Sequence, residues 1–311
     1  MARVVASLLT LLVIVLLLPA VADARYGVRV GIGDQNVELF DQPSFQAAEI
    51  KRVRYFIPWN AIRNRAELRR ADAYVQRARL AGISVTLHVT TEDLRAGRGH
   101  LPTPSGYRSV VGRLVRHFRP MGVREWGVWN EANHPSQPTS RSPKRAAQYY
   151  EVMRRICRGC TIVALDVLDQ RRVESYITSF FRALPKRLRR TARTVGIHNY
   201  GDVNRRKSTG TASIMRAVRK YVRSPNVWLT ETGGIVELGR TFPCNQTRAA
   251  NRINYLFALL KKYRRVIDRA YVYNWFGVGC RTRMDTGLVN ANGTERPGYR
   301  ALRRGLTRFL R

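Results

Sequence analysis

The sequence predicts a single parallel (β/α)8 TIM barrel, on three observations. Short apolar or β-branched runs alternate with longer helix-periodic segments. Their pitch is about 36 residues per pair, so eight pairs fill residues 25–311, near the ~250 residues typical of one such barrel. No internal repeat, low-complexity tract or linker marks a second domain.

The strands are expected over residues 28–31, 53–57, 84–89, 125–129, 161–165, 194–198, 226–230 and 270–275. Val28 and Val30 carry the first, Val53 to Ile57 the second, and Val85, Leu87 and Val89 the third. Trp126, Val128 and Trp129 carry the fourth, and Ile162, Val163 and Leu165 the fifth. Val195 and Ile197, Val227 and Leu229, then Tyr271 to Trp275 complete the set. Helices are expected over 66–81, 107–119, 144–156, 173–184, 211–222, 248–263 and 297–310, where apolar residues recur every three or four positions. Pro297 stands at the start of the last, where its missing N–H costs nothing. An open doubly wound sheet is the alternative, but Gly31-Ile32-Gly33 lacks the third glycine of a dinucleotide loop.

Residues 1–24 read as a secretory signal: Arg3, an apolar run from Val4 to Leu18, then the small-residue site Ala22-Asp23-Ala24. The run is short for a ~20-residue membrane span and is followed by Pro19, so cleavage after Ala24 and an extracellular, monomeric protein without a membrane span are expected. An oxidising destination permits disulfides. Four cysteines allow three pairings, of which Cys157–Cys160 and Cys244–Cys280 are expected. A redox motif would open a helix, whereas Cys157 lies between a helix and a strand. A zinc site would need further ligands at short spacing, which are not apparent. No metal or cofactor is expected.

Lys and Arg number 56 against 21 Asp and Glu, a net charge of +35, and only seven of the cations are Lys. Two readings stay open: a compositional bias, since Arg is spread along the whole chain, or attraction to an acidic glycan or envelope surface. Specific nucleic-acid binding is not expected, because no compact basic segment with interleaved aromatics occurs.

Barrel chemistry lies at the carboxyl ends of the strands. Few carboxylates fall there: Asp34, Glu131, Asp166 and Glu231. Asp34 and Asp166 could meet sugar hydroxyls or simply take an Arg partner. Glu131 ends strand four in Trp129-Asn130-Glu131-Ala132-Asn133-His134, and Glu231 ends strand seven in Leu229-Thr230-Glu231-Thr232. They lie about 100 residues apart, three units round the ring, so both face one mouth from opposite sides. Paired carboxylates are the usual apparatus for breaking a glycosidic bond. No Gly-x-Ser-x-Gly elbow and no His-Glu-x-x-His occurs, which leaves serine-hydrolase and zinc-protease readings without support.

Trp129-Asn130-Glu131 and Thr230-Glu231 resemble the paired strand-four and strand-seven signatures of clan A glycoside hydrolases, notably families 5 and 39. The resemblance spans nearly the whole mature chain and is specific for the clan rather than for one family. It implies Glu131 as acid/base, Glu231 as nucleophile, and Asn130 as a contact to the sugar 2-hydroxyl. Arg54 is similar to the strand-two Arg that supports the nucleophile, and His88 to a strand-three His near the sugar. His198-Asn199-Tyr200 is similar to the strand-six His-x-Tyr, and Trp275 to the strand-eight aromatic that floors the subsite. The implied activity is retaining hydrolysis of β-glycosidic bonds in a poly- or oligosaccharide. The competing reading is a non-catalytic, basic, carbohydrate- or surface-binding barrel. The chemistry requires Glu131 protonated, with the charge of Glu231 and an apolar wall at Trp129 holding it so, and Glu231 ionised beside Arg54.

Overall fold

The computed structural model describes residues 27–310. The signal-peptide expectation therefore falls outside the described residues. Among these, no helix is long and apolar enough to cross a membrane.

Nine parallel strands form one sheet: β1 Arg29–Gly33, β2 Arg52–Pro58, β3 Ser84–Thr90, β4 Glu125–Gly127, β5 Thr161–Val163, β6 Leu165–Leu168, β7 Thr194–His198, β8 Asn226–Thr232 and β9 Ile267–Tyr273. Their order is β5-β4-β3-β2-β1-β9-β8-β7-β6. Of the two terminal strands, β5 covers the start of the fifth expected run, 161–165, and β6 begins at its last residue and runs on to Leu168, the two parted at Ala164. There the chain changes partner: Val128 N donates to Val163 O at 3.1 Å, while Ala164 N donates to Thr194 O at 2.9 Å. The ring thus closes through a single bent segment, and the architecture is the expected (β/α)8 barrel. An evenly apolar run from Ile162 to Leu165 does not record which neighbour each residue takes.

The helices are α1 Pro43–Ala47, α2 Arg65–Leu80, α3 Pro104–Phe118, α4 Pro143–Ile156, α5 Val173–Ala183, α6 Lys186–Arg189, α7 Tyr200–Arg205, α8 Thr209–Arg219, α9 Gln246–Tyr263 and α10 Pro297–Leu310. The long ones match their expected spans to within a few residues, because they carry an apolar face and α2, α3, α4 and α9 also begin at a polar cap. In α3 the Thr103 hydroxyl accepts from Gly106 N, Pro104 follows, and Tyr107, Val110, Val111, Leu114, Val115 and Phe118 are buried against the barrel. Asn64, Ser142 and Asn245 cap α2, α4 and α9 in the same way. The short α1, α6 and α7 were not expected. They span one or two turns and give little periodicity to read.

Inside the ring the residues stack in layers. A lower layer joins Arg269, over the Trp228 ring at 3.8 Å, to Glu125, whose carboxylate also accepts from Thr86. Above it lie Arg54, His88 and Asp166, all fully buried. Two glycines make that upper layer possible. A Cβ at Gly127 would strike the His88 ring, and one at Gly196 would strike the Asp166 carboxylate.

Both expected disulfides are present, Cys157–Cys160 with Cα atoms 5.5 Å apart and Cys244–Cys280 at 5.7 Å. The second closes a loop of 36 residues in sequence separation, the first only 3. Chain entropy gives about 4 kcal/mol for the longer loop and about 2 kcal/mol for the shorter. Replacing Cys244 and Cys280 by Ser is expected to lower the thermal midpoint by roughly 8–15 °C, about twice the effect at Cys157 and Cys160, in calorimetry under non-reducing conditions.

Candidate active site

Strand-end residues from six of the nine strands and the segment after β4 converge at the mouth around one buried guanidinium. Arg54, on β2, donates from Nη1 to Glu231 Oε2 at 3.1 Å and from Nη2 to Asn130 Oδ1. Its Nε donates to His88 Nδ1 at 3.0 Å, and Nη2 lies 3.5 Å from Asp166 Oδ2. On β8, Glu231 also accepts from the Tyr200 hydroxyl at 3.1 Å. Arg54, Asn130, Tyr200 and Glu231 thus meet at one point.

Glu131 lies beyond the paired part of β4, in a segment held by its neighbours on both sides. Asn130 N donates to Val89 O at 2.7 Å and Ala132 N to Asp166 O at 2.8 Å. Glu131 itself has φ 43°, a left-handed conformation that a side chain takes only at some cost, and its N–H donates to Asp166 Oδ2 at 3.1 Å. The strained turn aims the carboxylate back into the mouth. His198 Nδ1 stands 3.1 Å from Glu131 Oε1 and 3.6 Å from Glu231 Oε2. Oxygens of the two carboxylates thus approach the same imidazole nitrogen.

On its other side His198 Nε2 meets Asp166 Oδ2 at 2.9 Å. Burial alone lowers the His198 pKa, but Asp166 and Glu231 more than offset it and hold it up at about 10. An imidazolium follows, its Nδ1–H directed at Glu131 and its Nε2–H at Asp166. Burial raises the Asp166 carboxyl, yet His198, His88 and Arg54 outweigh it and keep Asp166 ionised. Burial likewise raises Glu131, but the His198 hydrogen bond and charge bring it below the ordinary value. For Glu231 burial wins over His198 and Arg54, and its pKa is raised.

Several expectations need correction. Trp129 does not wall Glu131. It turns outward, stacks on Tyr149 at 5.2 Å, and its Nε1 donates to Gln137 at 2.9 Å. Glu131 has His198 and His134 beside it instead, which is why its substrate-free pKa moves down rather than up. His88 is fully buried, with a pKa lowered to about 3 by desolvation, so it is neutral and accepts from Arg54 instead of facing a sugar. Trp275 is also fully buried. It lies past the end of β9, packed edge-on against Phe45 at 5.2 Å and Tyr299 at 5.5 Å.

The aromatic that β9 brings to the site is Tyr273, half-buried beside Phe56 at 5.7 Å, whose hydroxyl pKa is pushed up by burial first and then by Glu231 and Asp34. Tyr273 was missed because the strand was drawn two residues too far. The signal was the strand-end rule itself, applied to Tyr273 once the strand ends there.

Asp34 and Asp166 take structural partners. Asp34 accepts from the backbone of Asn36, Trp275 and Phe276, tying the end of β1 to the segment after β9. Asp166 gathers Thr230, Arg54 and His198. Asn133 pairs with the backbone of Leu168 at both ends of its amide. Trp59 donates to Glu92 at 2.6 Å and is buried at the rim. Among the described residues no group of three or more His, Cys, Asp or Glu is placed to hold a metal ion.

Two aromatics thus have opposite expected phenotypes. Tyr273→Ala, at the mouth, should change the thermal midpoint little. Trp275→Ala opens a core cavity and should cost about 3–5 kcal/mol in stability, read by denaturant unfolding.

No protein-family model and no curated protein sequence matches the chain. Solved structures do. A psychrophilic family 10 endo-β-1,4-xylanase superposes with a TM-score of 0.63 at 14% identity, over 89% of this chain and 96% of that one. A family 39 glycoside hydrolase from Bacteroides cellulosilyticus WH2 gives 0.61 at 14%, over 92% of this chain and 64% of its own. Xylanase10C from Cellvibrio japonicus, a mutant in complex with xylopentaose, gives 0.65 at 13%, over 91% and 68%. The chain has the fold of these glycoside hydrolase barrels.

Proposed function

We propose that the chain is a secreted retaining β-glycosidase that hydrolyses a poly- or oligosaccharide by double displacement. One observation carries the reading: Glu131 and Glu231 reach one space at the mouth from opposite sides of the ring, both within 3.6 Å of His198 Nδ1. The names of the structural neighbours, β-1,4-xylanases and an exo-β-1,4-mannosidase from an Opitutaceae bacterium, favour a β-linked pyranoside as substrate. The two disulfides suit an extracellular setting.

Glu231 is the nucleophile. Arg54 and Tyr200 bind its two oxygens separately, at 3.1 Å each, so its direction is fixed before substrate arrives. Attack on the anomeric carbon turns it into an ester and removes its charge. Glu131 protonates the departing oxygen and then takes a proton from the water that frees the sugar. With Asn130 Oδ1 held by Arg54, its NH2 group is the one left for the 2-hydroxyl.

The acid's proton resides on a pair. Written on His198, it leaves Glu131 anionic; moved across the 3.1 Å contact, it gives neutral imidazole and a carboxylic acid at the same total charge. His198 is thus a positioning residue that holds the proton next to Glu131. Nucleophile and acid/base then coexist at one protonation level, although the substrate-free Glu131 is held low.

Glu231→Gln should reduce turnover of an aryl β-glycoside by at least about 10⁴-fold, leaving binding to the carbohydrate intact. Azide should rescue Glu131→Ala on a substrate with an activated leaving group. Turnover by Glu231→Gln above a few per cent of the parent removes the assignment and leaves a binding-only barrel.

The pH profile follows from the signs. Glu231 must be ionised and its pKa is raised by burial, so the acid limb should lie above an ordinary glutamate's and climb further in Arg54→Met. On the alkaline side activity is lost with the proton shared by His198 and Glu131. His198→Asn leaves only a carboxyl to hold it, so that limb should move to lower pH by more than one unit in kcat/KM against pH.

A further inference from the structure

The face of the barrel opposite the mouth carries a feature that the proposed chemistry does not use. Residues 182–193 and 216–223 hold ten cations and no acid. The first stretch leads into β7 and the second into β8, and they are joined where Arg193 donates to Ser224 O and Asn226 N donates to Arg193 O. Between them lies a depression of about 790 Å3 lined by Arg190, Arg193, Arg219, Lys220 and Arg223 around Tyr221. All five cations are exposed, and among the described residues none forms an ion pair. Glu174, engaged by Ser213, has its pKa lowered in part by Arg216 and Lys220.

Elsewhere the chain spends its few acids pairing exposed arginines: Arg29 with Asp268, Arg77 with Asp41, Arg95 with Asp93, Arg155 with Glu151. Here like charges are set round a concavity without an ion-pair partner, an arrangement that favours an anionic occupant.

We propose that this depression is a docking site for an anionic polysaccharide, separate from the catalytic mouth. Arginine suits it, since a planar guanidinium grips carboxylate and sulfate groups with two parallel hydrogen bonds. A chain bearing one anion per sugar or two engages several of the five at once, so weak contacts sum. Nucleic acid fits less well: single strands need open aromatic faces, and Tyr221, the one ring here, is stacked on Phe181 at 4.9 Å. A membrane surface needs apolar anchors, and the large exposed apolar side chains, Leu80, Leu94 and Val278, lie elsewhere. Occupancy would hold the barrel on its polymer with the mouth turned away from the anchor.

The test uses the full mature protein and a four-site variant, Arg190→Glu, Arg193→Glu, Arg219→Glu and Arg223→Glu. A control variant carries the same charge change on exposed sites of α2 and α3: Arg69→Glu, Arg108→Glu, Arg113→Glu and Arg116→Glu. Affinity for polygalacturonate and dextran sulfate is measured by titration calorimetry from 50 to 300 mM salt, beside anionic vesicles and duplex DNA. The depression variant should lose at least tenfold in affinity for one or both polysaccharides, with a shallower salt dependence, while the control loses less than threefold. Equal losses in the two variants would assign binding to diffuse net charge and overturn the site. Tighter binding to vesicles or DNA than to either polysaccharide would overturn the choice of partner. Aryl-glycoside turnover, unchanged in both variants, reports on the mouth alone, so this result and the glycosidase reading stand or fall separately.

Discussion

One buried knot of charge organises the upper half of the barrel. Arg54 and the His198 imidazolium face Asp166 and Glu231, all buried, and the partly exposed Glu131. Each of these charges, left alone in such a place, would cost several kcal/mol. Each is tolerable only because the others sit at hydrogen-bond distance. That mutual dependence makes the geometry rigid: a shift of β2 against β8 separates Arg54 from Glu231, and a shift of β6 against β7 separates Asp166 from His198. The two glycines that clear room for His88 and Asp166 belong to the same device, since the knot fits only where neighbouring strands carry no side chain.

The knot also decides where protons go. Burial pushes every carboxylate in it upward, so the differences among them come from partners. Asp166 touches both cations and stays ionised. Glu131 leans on His198, whereas Glu231 is more deeply enclosed and is raised despite Arg54. Two chemically identical side chains therefore have different affinities for a proton, and the histidine between them makes their protonation a shared property. Tuning by an apolar wall, the simpler expectation, is replaced by tuning through a third titratable group.

The high arginine content acquires structure when mapped onto the barrel. Some arginines are buried and structural, such as Arg54, Arg269 and Arg296, the last gripping Asp285. Others pair with surface acids. The unpaired ones round the α5–β7 and α8–β8 connections gather at the end of the barrel remote from the mouth. The proposed chemistry and the proposed anchoring, on opposite ends, impose no steric conflict, and a fold whose two faces vary independently accommodates both.

The barrel was legible in the sequence because alternation, pitch and polar helix starts are local signals, and each long helix carries its own apolar face. So was the placement of Glu131 and Glu231 at the mouth, since the strand-end rule turns sequence position into location, whereas Arg54 and Tyr200 were pointed to only by the resemblance to clan A barrels. Both cysteine pairings could be anticipated as well. Tertiary structure alone decided the rest. The strand ends at Tyr273 rather than Trp275, which exchanges a mouth residue for a core residue two positions away, and an apolar aromatic run gives no sign of where pairing stops. His88 reads like any strand histidine until its neighbours are in place; only then does it become the acceptor that orients Arg54. The proton on His198 depends on three carboxylates from three separate segments, and no local pattern records their meeting, because electrostatic coupling follows distance in space rather than distance along the chain.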